Sequence, residues 1–323
     1  MKWHNFLLFV IFITFFLKIP CSGQTRYVEM SYDHFRIKYL PEDENRAMAG
    51  LQILKENQPR FEKFYGIRIQ RFYSIIFPGS LPEFRHLTGG RLPEWSGAVF
   101  MPRQRYIVIK NPEWAVSNLQ LETNLTHEVS HLYFYEKFGK KSLPLWFNEG
   151  LAEFLSGEKL NIRRGTLLAN ALFSHTLIPL GDIDSLLAFR AGRANLAYIE
   201  SLSAILFLQH NYISPGYEWQ EFLNRVLASD FDTAIKDLTG MDMIDFELKW
   251  YRWVDKKYSW FILFNLENLV WVAMAVVLLG ALYSLRYRNK KTLRRWELEE
   301  TIEGYPDDSD WWHVVQDDAD GEN

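Results

Sequence analysis

The sequence predicts an α+β domain followed by a single transmembrane helix. Strand-like alternation is confined to the first half of the chain, and helical periodicity fills the second. An apolar run over residues 260–285 then ends in a cluster of positive charge. The chain has 323 residues, 48% of them hydrophobic and 24% charged, with a formal net charge of −4. That composition excludes disordered, collagen-like and disulfide-stapled chains. The lone cysteine, Cys21, leaves no intramolecular disulfide and no cysteine zinc knuckle. The charge balance makes no case for nucleic-acid binding.

Residues 1–23 read MKWHNFLLFVIFITFFLKIPCSG. Lys2, an apolar run from Phe6 to Leu17, then Pro20 and small residues follow the order of a signal peptide, cut after Gly23. An uncleaved anchor helix is the alternative. Residues 24–258 make one extracytoplasmic domain by length. Within it, residues 32–39 (YDHFRIKY) alternate as a strand, and residues 43–65 space Met48, Leu51, Leu54, Phe61 and Phe64 as a helix. Residues 71–77 (RFYSIIF) read as a second strand. A Gly- and Pro-rich loop follows, then extended pieces at 97–101 and 106–110 joined through Pro102.

Residues 119–138 place Leu121, Leu125, Val129, Leu132 and Tyr135 at helical spacing, with Gly139 as the stop. Pro144 opens a short helix to Leu155. Later helices are expected at 164–173, 196–212, 219–228 and 243–256.

From Leu269 to Tyr283 no side chain is charged or an amide. A span needs about 20 mostly apolar residues, so it takes in the approach from Trp260. Arg286, Arg288, Lys290, Lys291, Arg294 and Arg295 come next and mark the cytoplasmic side. From Trp296 onward there are eleven acidic residues and no Lys or Arg, which predicts a disordered acidic tail within 286–323. Trp296, Trp311 and Trp312 are candidate hooks for a cytoplasmic partner. This layout fits a bacterial inner membrane with the domain in the periplasm, and a eukaryotic surface fits the same charges.

The chemistry concentrates in the helix over 119–138. It carries His127-Glu128-Val129-Ser130-His131. Histidines at i and i+4 share one face, with Cβ atoms about 5–6 Å apart, so both imidazoles reach one metal ion. Glu128 is placed as general base toward a water on that metal. Imidazole and carboxylate donors suit zinc. Seventeen residues separate His131 from Glu149, in Asn148-Glu149-Gly150-Leu151-Ala152-Glu153. Catalytic zinc takes three protein ligands and keeps an open position, and Glu149 on a second helix supplies the third. Glu153, one turn on, is placed to accept the outer N–H of a ligand histidine. Were Glu149 exposed, Glu153 would be the ligand instead.

HEVSH followed by LPLWFNEGLAEF resembles the gluzincin zinc peptidases, and especially their peptidase MA-like members. The close likeness covers residues 126–156, with looser similarity over 24–258. It implies a zincin-like metallopeptidase domain holding one Zn2+ by His127, His131 and Glu149. It implies Glu128 as the water-activating base and Glu153 as the residue orienting a histidine. Ala197-Tyr198-Ile199-Glu200-Ser201 resembles a later segment whose tyrosine stabilises the oxyanion, which gives Tyr198 that role. The likeness also implies an edge strand that holds substrate backbone, for which Gly97, Ala98 and Val99 are the candidates. Related aminopeptidases carry a glutamate in a GAMEN-type segment to capture a free amino terminus. Here that place reads GAVFMP, so an endopeptidase is expected.

His34, His86, His175 and His210 lie in unremarkable contexts, and the glycosylation pattern at Asn124 falls inside the metal helix. The expected partners are a peptide or protein substrate outside the cytoplasm, the lipid bilayer, and a cytoplasmic protein for the tail. Two other readings stay open: a non-enzymatic membrane sensor or binding module on the same scaffold, and a zinc hydrolase of a non-peptide amide.

Overall fold

In the computed structural model, residues 27–90, 92, 96–114, 120–213, 218–264 and 266–303 are described. Residues 1–23, expected as a signal peptide, and the tail beyond 303, with Trp311 and Trp312, lie outside the described residues. The boundary between two structural units falls between Ser259 and Trp260.

The first unit begins with a hairpin, β1 (Val28–Tyr32) and β2 (Phe35–Tyr39). The alternation over residues 32–39 predicts a single strand there. Asp33, at φ +48°, turns the chain instead, since a short polar side chain tolerates the left-handed region. Helix α1 (Glu44–Tyr65) leads to β3 (Tyr73–Ile76). Helix α2 (Leu81–Leu87) falls in the stretch expected to be loop. Ser80 caps it by accepting from Glu83 N at 3.3 Å, and Pro82 fits its first turn. Then come β4 (Ala98–Met101) and β5 (Tyr106–Ile109). The five strands lie in the order β1-β2-β3-β5-β4. β2, β3 and β5 run parallel, while β1 and β4 are antiparallel edges.

The second half is helical, as its periodicity predicts. It comprises α3 (Leu121–Phe138), α4 (Leu145–Leu155), α5 (Ile162–Phe173) and α6 (Ala191–Asn211). After them come α7 (Trp219–Ala228), α8 (Phe231–Thr239) and α9 (Met243–Tyr258). Helix α8 was not expected. Its signals are local: the Asp230 cap accepts from Thr233 N at 2.9 Å, and Gly240 ends it at φ +74°.

Helix α3 is fixed from both sides. Toward α1, Phe61, Tyr65 and Tyr133 stack, and Tyr65 Oη lies 2.8 Å from Ser130 Oγ. At its far end, Lys137 Nζ donates to Tyr65 O and Asn224 Oδ1, both at 2.7 Å. Helix α4 is held by its aromatics: Trp146 stacks on Phe246 of α9, and Phe147 packs on Phe231 of α8. Its first free N–H, on Leu145, donates to Asp184 Oδ1 at 2.8 Å. These contacts set the two helices that carry the candidate site.

The second unit carries α10 (Leu266–Glu303). Among the described residues it is the one helix long and apolar enough to cross a membrane, over Val270–Thr301. Its side chains over residues 270–301 are exposed, including Val276 at 64% and Leu279 at 66%. The helix runs through the basic collar and past Trp296 to Glu303, so the first part of the segment expected to be disordered is helical. Arg295 and Glu299, one turn apart and paired at 3.0 Å, support that extension.

Candidate metal centre

His127 and His131 project from one face of α3 with ring centroids 4.8 Å apart. Glu149 meets them from α4. Its Oε2 lies 3.3 Å from His127 Nε2 and 3.4 Å from His131 Nε2. That oxygen is buried and makes no hydrogen bond. Three donor atoms therefore converge, all within 4.8 Å of one another. A tetrahedral zinc with bonds of ~2.0–2.1 Å separates its ligand atoms by about 3.3–3.4 Å. The two histidines and the carboxylate thus fit such an ion in spacing and in donor type. Among the described residues no other group of three metal-binding side chains closes this tightly, and His34, His86, His175 and His210 stand outside it.

The electrostatics agree. Burial opposes a charge on His131, but the Glu149 carboxylate outweighs it and the imidazole is pushed up to about 9. His127 moves up in the same way. Burial would raise Glu149, yet the two imidazoles hold it down at about 2. The pocket keeps a bare carboxylate and draws positive charge to its centre.

The outer nitrogens are also engaged. Asn148 Oδ1 lies 3.0 Å from His131 Nδ1. With the Nδ1 proton directed to Asn148, Nε2 is the nitrogen left to bind a metal ion. No role was assigned to Asn148 from sequence; its signal was its place directly before Glu149. Glu153 Oε1 stands 3.8 Å from the Nδ1 of His127. Its other oxygen, Oε2, accepts from Arg164, which sequence reasoning also missed. Glu149 is buried and lies between the two Nε2 atoms, while Glu153 lies on the outer side of His127.

A cleft of about 420 Å3 opens over these groups. Glu128 lines it and is only 8% exposed. Burial pushes its carboxyl up, against the pull of both imidazoles. Tyr198, on α6, also lines the cleft, with its ring 6.0 Å from that of His127. Burial and the carboxylates of Glu149, Glu128 and Glu153 push its phenol well above the usual value. Phe134, Leu143 and Leu187 supply apolar walls.

β4 forms one rim, through Ala98, Val99 and Phe100. Lys110 N donates to Gly97 O at 2.9 Å, and Val99 pairs with Val108. By the alternation of an antiparallel ladder, Gly97 and Val99 turn their backbone groups toward β5. Ala98 and Phe100 turn theirs to the open edge. The Ala98 carbonyl accepts from Ser96 Oγ at 3.0 Å. Gly97 precedes the strand and does not line the cleft.

A family model described as the peptidase MA superfamily matches residues 90–256, a range that holds the whole donor set and the cleft residues named above. No curated protein matches the chain.

Proposed function

The chain belongs to the peptidase MA superfamily, and we propose that it is a membrane-anchored zinc endopeptidase acting outside the cytoplasm. One observation carries this reading: His127, His131 and Glu149 converge at 3.3 and 3.4 Å on the floor of an open cleft beside Glu128. Zinc bound there supplies a Lewis acid for a peptide carbonyl and makes a water acidic enough to attack at neutral pH. Glu128 takes the proton of the attacking water and returns it to the leaving amine. Burial moves its carboxyl upward, the direction that strengthens a carboxylate as a base.

Tyr198 keeps its proton, because burial and three carboxylates oppose the phenolate, and donates it in a hydrogen bond to the developing oxyanion. Asn148 holds the outer nitrogen of His131, and the Glu153 carboxylate stands beside that of His127. The open edge of β4, through Ala98 and Phe100, holds substrate backbone by strand addition, and Val99 borders the cleft. The GAVFMP segment itself carries no carboxylate to capture a substrate's amino terminus, which favours cleavage within chains.

The anchoring part rests on α10. Its apolar window meets the length and composition of a span, and Arg286 to Arg295 follow it on the side that stays in the cytoplasm. The domain before it then lies outside.

The test is zinc content and turnover of the purified full chain. About one zinc per chain is expected, lost in His131→Ala. Glu128→Gln should keep the metal and lose at least about 100-fold in turnover of a peptide library. A folded chain that takes up no zinc, or a Glu128→Gln variant as active as the wild type, overturns the reading. Cleavage of non-peptide amides alone would move the substrate class while leaving the centre intact.

A further inference from the structure

Arg164 is the third residue of α5, and its backbone N–H donates to the Asn161 cap at 3.1 Å. Its side chain turns back toward α4 and is only 13% exposed. One end of the guanidinium, Nη1, donates to Glu158 Oε2 at 2.8 Å. The other end, Nη2, donates to Glu153 Oε2. Glu153 then presents Oε1 to His127 Nδ1 at 3.8 Å, and the Nε2 of His127 meets Glu149 at 3.3 Å. A continuous line of contacts runs from the first turn of α5 to the centre of the donor set.

The geometry of each link matters. A glutamate has a long, freely rotating side chain, and 3.8 Å is too long for a strong hydrogen bond to hold it. The position of the Glu153 carboxylate is set at its other oxygen, by Arg164. A planar guanidinium anchored at two points places a carboxylate more rigidly than a lysine ammonium can. Glu158 supplies the second anchor and keeps the fork from rotating. We propose that Arg164 is a positioning residue of the metal centre: it keeps the Glu153 carboxylate beside Nδ1 of His127, where its charge orients that imidazole, and thereby sets the affinity for zinc. This inference rests on the zinc reading above.

A purely structural ion pair between α4 and α5 would look the same in a static picture, so the test is a double-mutant cycle read as zinc affinity. The full-length protein is titrated against a chelator of known affinity. Wild type, Arg164→Leu, Glu153→Gln, their double variant and Arg163→Leu are compared. Arg164→Leu and Glu153→Gln should each weaken zinc binding by about 10-fold or more. The double variant should lose no more than the weaker-binding single, because the two residues act in series. Arg163, exposed on the same turn, should be neutral.

Should Arg164→Leu fail to fold, Arg164→Lys keeps the charge and loses the fork, and an intermediate weakening is expected. Wild-type affinity in Arg164→Leu, or in Arg164→Lys where only that variant folds, overturns the proposal. So do losses that multiply in the double variant. A wild-type chain that binds no zinc would instead overturn the function proposed above, so the two failures are distinguishable.

Discussion

Glu200 stands two positions beyond Tyr198 on α6 with none of its surface exposed. Its carboxylate oxygens accept from Ile178 N at 3.1 and 3.2 Å. Burial pushes its carboxyl up to about 8; Glu247 adds to that, while the Ile178 amide and Arg193 oppose it. The unfolded chain titrates this group near 4.5. Between those values the folded chain holds the extra proton, so stability falls as pH rises from 4.5 through 8. Glu200→Gln keeps the shape and an acceptor for Ile178 N but removes the titration. Its unfolding free energy should lie close to that of the wild type at pH 5 and exceed it at pH 9 by on the order of a few kcal/mol, with Tm moving in the same direction. Parallel Tm–pH curves for the two proteins would show that Glu200 is not the responsible group. At this scale, legibility depends on sequence distance. His127, Glu128 and His131 are readable because one helical turn brings them together, whatever the rest of the chain does. Arg164 was not, because it reaches Glu153 through the path of the chain between α4 and α5, which no local pattern encodes.

Helices α4 and α6 bring Glu149 and Tyr198 to the same cleft, and Gly150 governs how closely they pack. A Cβ added at Gly150 would lie 2.5 Å from the Ser201 carbonyl oxygen and 2.6 Å from Ile205 Cγ1. Neither can give way without moving α6, since one is backbone and the other is a fully buried side chain. Gly150→Ala should therefore destabilise by about 1–3 kcal/mol, even though alanine alone would favour the helix by ~1 kcal/mol. Denaturant unfolding at fixed zinc concentration measures this, and zinc affinity and kcat should fall together as Glu149 and Tyr198 separate. An unchanged or raised midpoint would mean that α6 yields freely. The glycine of the Asn148-Glu149-Gly150 segment is thus a spacer between helices, a role the sequence alone did not disclose. The long helices were legible because their apolar periodicity is strong. The β1–β2 turn, α2 and α8 were not, because each depends on a cap or a single positive-φ residue that outweighs a weak periodic signal.

At the scale of the whole chain, the proposed anchoring makes a prediction: with α10 across a membrane, the charge on either side of it would decide where the domain resides. The positive cluster from Arg286 to Arg295 follows the apolar window, and the acidic residues beyond it contribute little to orientation. The structure makes collar and window one helix to Glu303, so the six cations are carried on a stiff rod. Orientation can be read by labelling intact cells with a membrane-impermeant thiol reagent, in a Cys21→Ser background. A cysteine at exposed Ser185 should label without permeabilisation, whereas Ser309→Cys should label only after it. Replacing the six collar cations by Gln should make part of the Ser309→Cys population reactive in intact cells, because the charge asymmetry that retains the C-terminal side is gone. Labelling of Ser309→Cys in intact wild-type cells would invert the topology and place the cleft in the cytoplasm. That result would leave the donor set and its chemistry unchanged, but it would reassign the substrates from exported or surface proteins to cytoplasmic ones.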